Sequence, residues 1–195
     1  MSRKTNSETL FEQFCNSNAL PLSRIQEGES PSPDYCVRLG VLDVYFEIKQ
    51  IDKDTEFSAV SSSRTIGSHV RAKIKEARNQ VRTAAKLGAP AVLLIYNNLD
   101  PLQRFGTEQL DFVAAMYGEP TVLLSNESGQ IVDSFHGKNK ALRENKNNSF
   151  SSVGVLRVEP AGTVSVHVYE NIYAQVPLPY ETLPSCITFN RMEVK

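Results

Sequence analysis

PDYCVRLGVLDVYFEIKQI, the run from Pro33 to Ile51, reads as two β-strands and a tight turn. Asp34–Leu39 forms the first strand, Gly40 the turn and Val41–Ile51 the second. In the second strand Leu42, Val44, Phe46 and Ile48 alternate with Asp43, Tyr45, Glu47 and Lys49. Strand residues two apart share a face, so the pattern predicts one buried face and one polar face. Glu47 and Lys49 then project together with Ile48 packed behind them. Asp34, opening the neighbouring antiparallel strand, reaches the same edge.

Upstream, a helix is expected from Ser7 as N-cap, with Leu10, Phe11, Phe14 and Cys15 at helical spacing, ending before Asn18-Ala19-Leu20-Pro21. A short extended piece, Leu22–Gln26, and a turn-rich loop lead into Pro33. Downstream, Asp52–Ile66 is a polar, serine-rich loop. From about Gly67 to Leu87, Val70, Ile74, Ala77, Val81 and Ala84 line one helical stripe, and Gly88 and Pro90 stop it. Ala91–Tyr96 (AVLLIY) is continuously apolar, as expected of a central strand covered on both faces. A helix near Glu108–Tyr117, a hairpin of Thr121–Ser125 with Ile131–Phe135, an exposed loop at Lys138–Ser149, and a hairpin of Val153–Glu159 with Val164–Glu170 follow, before a proline-containing tail. This order predicts an α/β domain around a mixed sheet. The whole chain, 1–195, is one domain, with a core over about 7–125 and a C-terminal, strand-rich α+β extension over about 126–195.

At 195 residues the chain is long enough to bury a core without disulfides. Its 41% hydrophobic and 22% charged residues exclude a disordered or fibrous chain. A net charge of −1 means that any polyanionic partner must be held by a local patch. Three widely spaced cysteines with no CxxC pair suit a reducing compartment and offer no zinc motif. No stretch reaches the roughly 18 apolar residues of a membrane span, and the N-terminus carries no long apolar run. A cytoplasmic protein without a membrane partner is expected.

Two carboxylates with room for water suit Mg²⁺, which takes oxygen ligands and keeps several waters. An adjacent ammonium can stabilise a hydroxide nucleophile or the charge that develops on a phosphate. Asp34, Glu47 and Lys49 therefore point to metal-assisted phosphodiester hydrolysis. Glu144-Asn145-Lys146 and Glu193-Val194-Lys195 repeat the acid-x-lysine spacing in a polar loop and at the C-terminus. Glu47-Ile48-Lys49 differs in ending an alternating strand, 13 residues after the single Pro-Asp pair of the chain.

Glu12 in the first helix, Pro33-Asp34, Glu47-Ile48-Lys49 on a hairpin strand, and the helix and strand that follow resemble the PD-(D/E)XK superfamily of restriction-endonuclease-like nucleases. The resemblance covers roughly Glu8–Tyr96 in the order α-β-β-β-α-β. It implies that Asp34 and Glu47 bind Mg²⁺, with Mn²⁺ as a substitute, that Lys49 positions or activates the attacking water, and that Glu12 adds an auxiliary carboxylate. It also implies nucleic acid as partner, DNA before RNA. The helical wheel sets Glu12 about 130° and Glu8 about 90° from the apolar face, which favours Glu8, whereas the family's Phe-Glu pairing favours Glu12. Gln50 joins the site only if the strand bulges. A catalytically inactive nuclease-fold binding module is the alternative, although such a descendant gains nothing from juxtaposed like charges.

Seven basic residues against one acid lie between Arg64 and Lys86. Arg71, Lys75, Arg78 and Arg82 form one stripe about 100° from the apolar stripe, while Lys73 and Gln80 lie on the other flank. Such a ridge can track a phosphate backbone, and four phosphate contacts predict a salt dependence with slope of about −3.6. His69, His136 and His167 lack metal-ligand spacing. The 100–195 region is left as a substrate-selecting face, a homodimer surface or completion of the sheet.

Overall fold

The computed structural model describes residues 4–26, 28–52 and 65–192. The loop around Ser61-Ser62-Ser63-Arg64 and the terminal Glu193-Val194-Lys195 lie outside them. Helix α1 (Asn6–Ser17) precedes strands β1 (Leu22–Arg24), β2 (Tyr35–Leu39) and β3 (Leu42–Ile51). Helix α2 (Ser68–Lys86), strand β4 (Ala91–Asn97) and helix α3 (Gln109–Tyr117) follow. The chain continues through β5 (Pro120–Leu124), β6 (Ile131–His136), β7 (Ser152–Val158) and β8 (Val164–Glu170) to a short 3₁₀ turn and β9 (Ile187–Asn190).

Helix α1 starts two residues earlier than its apolar pattern suggests. Thr5, not Ser7, is the N-cap: its side chain accepts the Glu8 N–H while the Glu8 carboxylate reaches back to the Thr5 amide, a reciprocal capping box. Ser7 is instead buried inside the first turn. The β2–β3 turn places Gly40 at φ 63°, a conformation that an L side chain resists.

Seven strands form one mixed sheet in the order β1-β2-β3-β4-β7-β8-β9. β1, β2 and β3 are mutually antiparallel in sequence, β3, β4 and β7 are parallel, β8 is antiparallel to β7, and β9 is parallel to β8. At the β3–β4 and β4–β7 steps a connection containing a helix, α2 or α3, returns the chain to the same end of the sheet. Strand β4 is buried along its whole length, as its unbroken apolar run requires. Val92, Leu94 and Tyr96 face a layer built on Phe11, Phe14, Phe46 and Ile48. Leu93 and Ile95 face the opposite layer of Val70, Ile74, Val81, Phe112 and Met116. The architecture is thus α/β with a helix-covered sheet on both faces.

Two expectations change here. The polar face of β3 is not open to water, because α2 lies over it and Glu47 is buried together with Phe46 and Ile48. The tail contains β9, a four-residue strand with one buried side chain, Ile187, too short a pattern to read before β8 offers an edge. Of the alternatives open for the 100–195 region, completion of the sheet is seen for β7, β8 and β9, with β7 paired to β4, whereas β5 and β6 form a separate two-stranded sheet. Among the described residues no helix is long and apolar enough to cross a membrane.

Candidate functional site

The β2–β3 ladder pairs Tyr35 with Phe46. Carrying that register one residue further sets Asp34 opposite Glu47, where the two strands separate. The Asp34 Oδ2 accepts the Ile48 N–H at 2.8 Å, which fixes this carboxylate against the backbone between Glu47 and Lys49. β3 keeps an unbroken register with β4 through this region, so alternation holds and Glu47 and Lys49 share one face. Gln50 falls on the other face, where its Oε1 accepts the Ser7 N–H at 2.8 Å and ties α1 to the strand. The carboxylates and the ammonium therefore converge without any contribution from Gln50.

Glu47 is 1% exposed. Its Oε1 meets Lys49 Nζ at 2.5 Å; its Oε2 is buried and, among the described residues, has no hydrogen-bond partner of good geometry, the Asp34 backbone amide exerting only the weakest of the pulls on the carboxylate. Burial, then the negative charge of Asp34, pushes the Glu47 carboxyl up to about 7. Asp34 is raised as well, by burial, against the opposing pull of the Ile48 amide and Lys49. Burial works against the Lys49 ammonium, but Glu47 and then Asp34 carry it above the ordinary lysine value, so it stays charged at neutral pH. One ammonium thus faces two carboxylates that destabilise each other. An orphaned buried acceptor adds the desolvation penalty of an unmade hydrogen bond, about 1–3 kcal/mol or more for a charged group.

Glu12 is not brought to this pair. Lys4 Nζ at 2.8 Å and the Tyr35 hydroxyl at 2.9 Å occupy its two oxygens; burial, the largest single influence, raises this carboxyl, but these two bonds with the charge of Lys4 together outweigh it and hold it below the ordinary range. Glu8 is the carboxylate of α1 whose charge reaches Asp34. It is buried, accepts Arg24 Nη2 at 2.8 Å, and caps the helix through its other oxygen. Among the described residues no set of three or more His, Cys, Asp and Glu side chains lies close enough to hold a metal ion. An ion at this site would have Asp34 and Glu47 as its carboxylates, a donor set that suits Mg²⁺.

Helix α2 presents its less basic flank to the site. Glu76 contributes to the field at Lys49 and accepts Lys73 Nζ at 2.9 Å, and Thr83 Oγ1 donates to the Pro31 carbonyl just ahead of Asp34. Gln80, between them on the same flank, has a buried Oε1 without a hydrogen-bond partner among the described residues. Lys73, Glu76 and Gln80 therefore adjoin the site, a placement the helical wheel alone leaves undecided because either flank of α2 could face β3. The ridge of Arg71, Lys75, Arg78 and Arg82 points about 150° away around the helix axis. Arg71 is committed internally, donating to the carbonyls of Ile66 at 2.5 Å and Ala114 at 3.3 Å, whereas Lys75, Arg78 and Arg82 are exposed. Arg64, counted with this basic run, lies outside the described residues. No protein-family model, curated protein or solved structure matches this chain.

Proposed function

We propose that the chain is a Mg²⁺-dependent nuclease of the PD-(D/E)XK kind, in which α1, β1–β3, α2 and β4 make a restriction-endonuclease-like core. Its substrate is the phosphodiester backbone of nucleic acid, DNA before RNA. The observation that carries this reading is the Oε2 of Glu47, buried opposite Asp34 without a hydrogen-bond partner of good geometry among the described residues, with one lysine to offset both charges. A divalent cation would neutralise the pair and take up the orphaned oxygen. Asp34 and Glu47 would hold it, with Mn²⁺ able to replace Mg²⁺. When bound, the ion would polarise a phosphate oxygen and lower the pKa of a water. Lys49, protonated at neutral pH, acts as a charged donor that orients the attacking water and offsets negative charge on the phosphate. Of the two auxiliary carboxylates, Glu8 is favoured over Glu12 because its charge is felt at Asp34. Lys73 borders the site, while Lys75, Arg78 and Arg82 form a second cationic surface for the flanking backbone. The unpaired cysteines Cys15, Cys36 and Cys186 suit a cytoplasmic setting.

The short Glu47–Lys49 ion pair and the two-carboxylate donor set favour one rival, a nuclease-fold module that binds nucleic acid without cutting it. Calorimetric Mg²⁺ titration, with incubation of linear, circular, duplex and single-stranded substrates in Mg²⁺ or Mn²⁺, separates the two. The nuclease binds Mg²⁺ and cleaves. Asp34→Ala then loses both activities, and Lys49→Ala loses about 10²–10³ in rate, the range for one charged transition-state donor. Nucleic-acid binding with neither a heat of Mg²⁺ binding nor cleavage would establish the rival, and equal cleavage by wild type and Lys49→Ala would remove Lys49 from the mechanism.

A further inference from the structure

The loop between β6 and β7 carries four bases, Lys138, Lys140, Arg143 and Lys146, against one acid, Glu144. It is a built structure. Arg143 N–H donates to the Lys146 carbonyl at 2.9 Å and Lys146 N–H to the Arg143 carbonyl at 3.1 Å, an antiparallel pair closed by the two-residue turn Glu144-Asn145. Leu142 is fully buried beside it, Asn147 Nδ2 donates to the Ala141 carbonyl and Asn148 Nδ2 to the Glu144 carbonyl, each at 2.8 Å. Residues paired in this way have Cα atoms about 5.5 Å apart and side chains on one face of the ribbon, where like charges destabilise each other. Arg143 and Lys146 are both exposed, and among the described residues neither side chain has an ion pair or a hydrogen bond. Two cations are thus held together on a fixed frame with no described residue to neutralise them.

The frame sits beside the basic ridge of α2. Gly67 N–H donates to Asp111 Oδ1 at 2.9 Å and Arg71 to the Ala114 carbonyl, so α3 runs alongside α2 in the same direction, on the flank that carries the ridge. Where α3 ends the loop takes over. Ala141 N–H donates to the Ala115 carbonyl at 2.9 Å and Leu142 N–H to the Met116 carbonyl at 3.0 Å, and at its far end Ser151 N–H reaches the Ala91 carbonyl, at the start of the strand that follows α2, at 2.7 Å. Leu142 packs in the same layer as Ala77, Val81 and Ala84 of α2. The loop therefore covers the flank of the C-terminal half of α2, next to Arg78 and Arg82. We infer that the Arg143–Lys146 turn binds the phosphate backbone of duplex nucleic acid and extends the grip of Lys75, Arg78 and Arg82 beyond α2, an inference that rests on the nucleic-acid reading proposed above. A single small anion would satisfy the turn alone, but the positive field continues from Lys75 to Arg82, about 10 Å along the helix, which fits an extended row of negative charges. A lipid surface fits less well: among the described residues no large apolar side chain is exposed between Phe135 and Ile172, so the loop has cations to attract a bilayer and nothing to bury in it.

Equilibrium binding of the full chain to a 30-base-pair duplex, read by fluorescence anisotropy in chelator from 50 to 200 mM salt, tests this without any cleavage. The double substitution Arg143→Ala, Lys146→Ala should make the slope of log affinity against log salt shallower by about 1.8, leaving the share of about −2.7 that α2 supplies. Over that salt range the wild type should lose about twelvefold more affinity than the double variant, the same two contacts expressed as a ratio. The conservative pair Arg143→Lys, Lys146→Arg should keep the wild-type slope, and the alanine variant, relieved of two opposed cations, should melt no lower than the wild type. An alanine variant with the wild-type slope overturns the proposal, as does a conservative pair that loses as much slope as the alanine pair, or a wild type that binds no duplex. Capture by vesicles of equal phosphatidylserine and phosphatidylcholine, or by polyglutamate, without duplex binding overturns it in favour of that partner. The two readings fail separately: duplex binding that depends on the turn in a chain that neither binds Mg²⁺ nor cleaves removes the nuclease alone, and cleavage with a slope indifferent to the turn removes this site alone.

Discussion

Replacing Asp34 by Asn is expected to stabilise the metal-free protein above neutral pH and to abolish its response to Mg²⁺. In the unfolded chain the Glu47 carboxyl titrates near its ordinary 4.5 and that of Asp34 near 3.8. Folding raises both, Glu47 to about 7, so between roughly pH 4 and 7 the native state binds more protons than the unfolded chain and stability falls as pH rises. For Glu47 alone, a rise from 4.5 to about 7 corresponds to about 3 kcal/mol lost by pH 8. Burial is the larger cause and the charge of Asp34 the next, so removing that charge recovers the smaller share of this loss. The asparagine oxygen can still accept the Ile48 amide, so the backbone contact survives. The variant should therefore gain about 1 kcal/mol at pH 8 in chelator, about 2–4 °C in melting temperature for a chain of this size, and almost nothing at pH 4. Mg²⁺ at a hundred times its Kd should add about 2.7 kcal/mol to the wild type and nothing to the variant. Thermal and urea melts at the two pH values, with and without Mg²⁺, read every term. A variant less stable than wild type at pH 8 in chelator, or one stabilised equally by Mg²⁺, would refute the mutual repulsion on which the metal site rests.

Five further outcomes are expected. Phe11→Ala should destabilise by about 3–5 kcal/mol in urea melts, because Phe11 is 1% exposed and its ring packs against Tyr35 and Phe46. Thr5→Ala should lower stability by about 1 kcal/mol through loss of the α1 cap, and by more than Ser7→Ala; the reverse order would restore Ser7 as the cap. If duplex DNA is held by the exposed Lys75, Arg78 and Arg82, the slope of log affinity against log salt should be about −2.7, with each alanine substitution reducing it by about 0.9. Arg71→Ala should instead reduce thermal stability and leave the slope alone, since its guanidinium is spent on the Ile66 and Ala114 carbonyls. Gly154→Ala in β7 should cost about 1–3 kcal/mol by denaturant melt, because a Cβ there would sit 2.4 Å from the His167 carbonyl oxygen in the adjoining strand.

The amino-acid order by itself determined the elements whose signal is local. Alternation in Leu42–Ile48 and the continuous Ala91–Tyr96 run each give a strand, the stripe from Val70 to Ala84 gives α2, and Gly40 gives the turn, because each depends on side-chain period or backbone freedom within a few residues. The same period puts Glu47 and Lys49 on one face and Gln50 on the other. What lies over that face was settled only when α2 crossed it. The crossing buries Glu47, orphans one of its oxygens, brings Lys73, Glu76 and Gln80 to the site and turns Arg71, Lys75, Arg78 and Arg82 away. Likewise a helical wheel ranks Glu8 and Glu12 by angle, but their roles follow from long-range partners, Arg24 for one and Lys4 with Tyr35 for the other. The division follows from range: a period is written in neighbouring residues, whereas burial, and through it the strength of every charge, depends on which distant segment excludes the water.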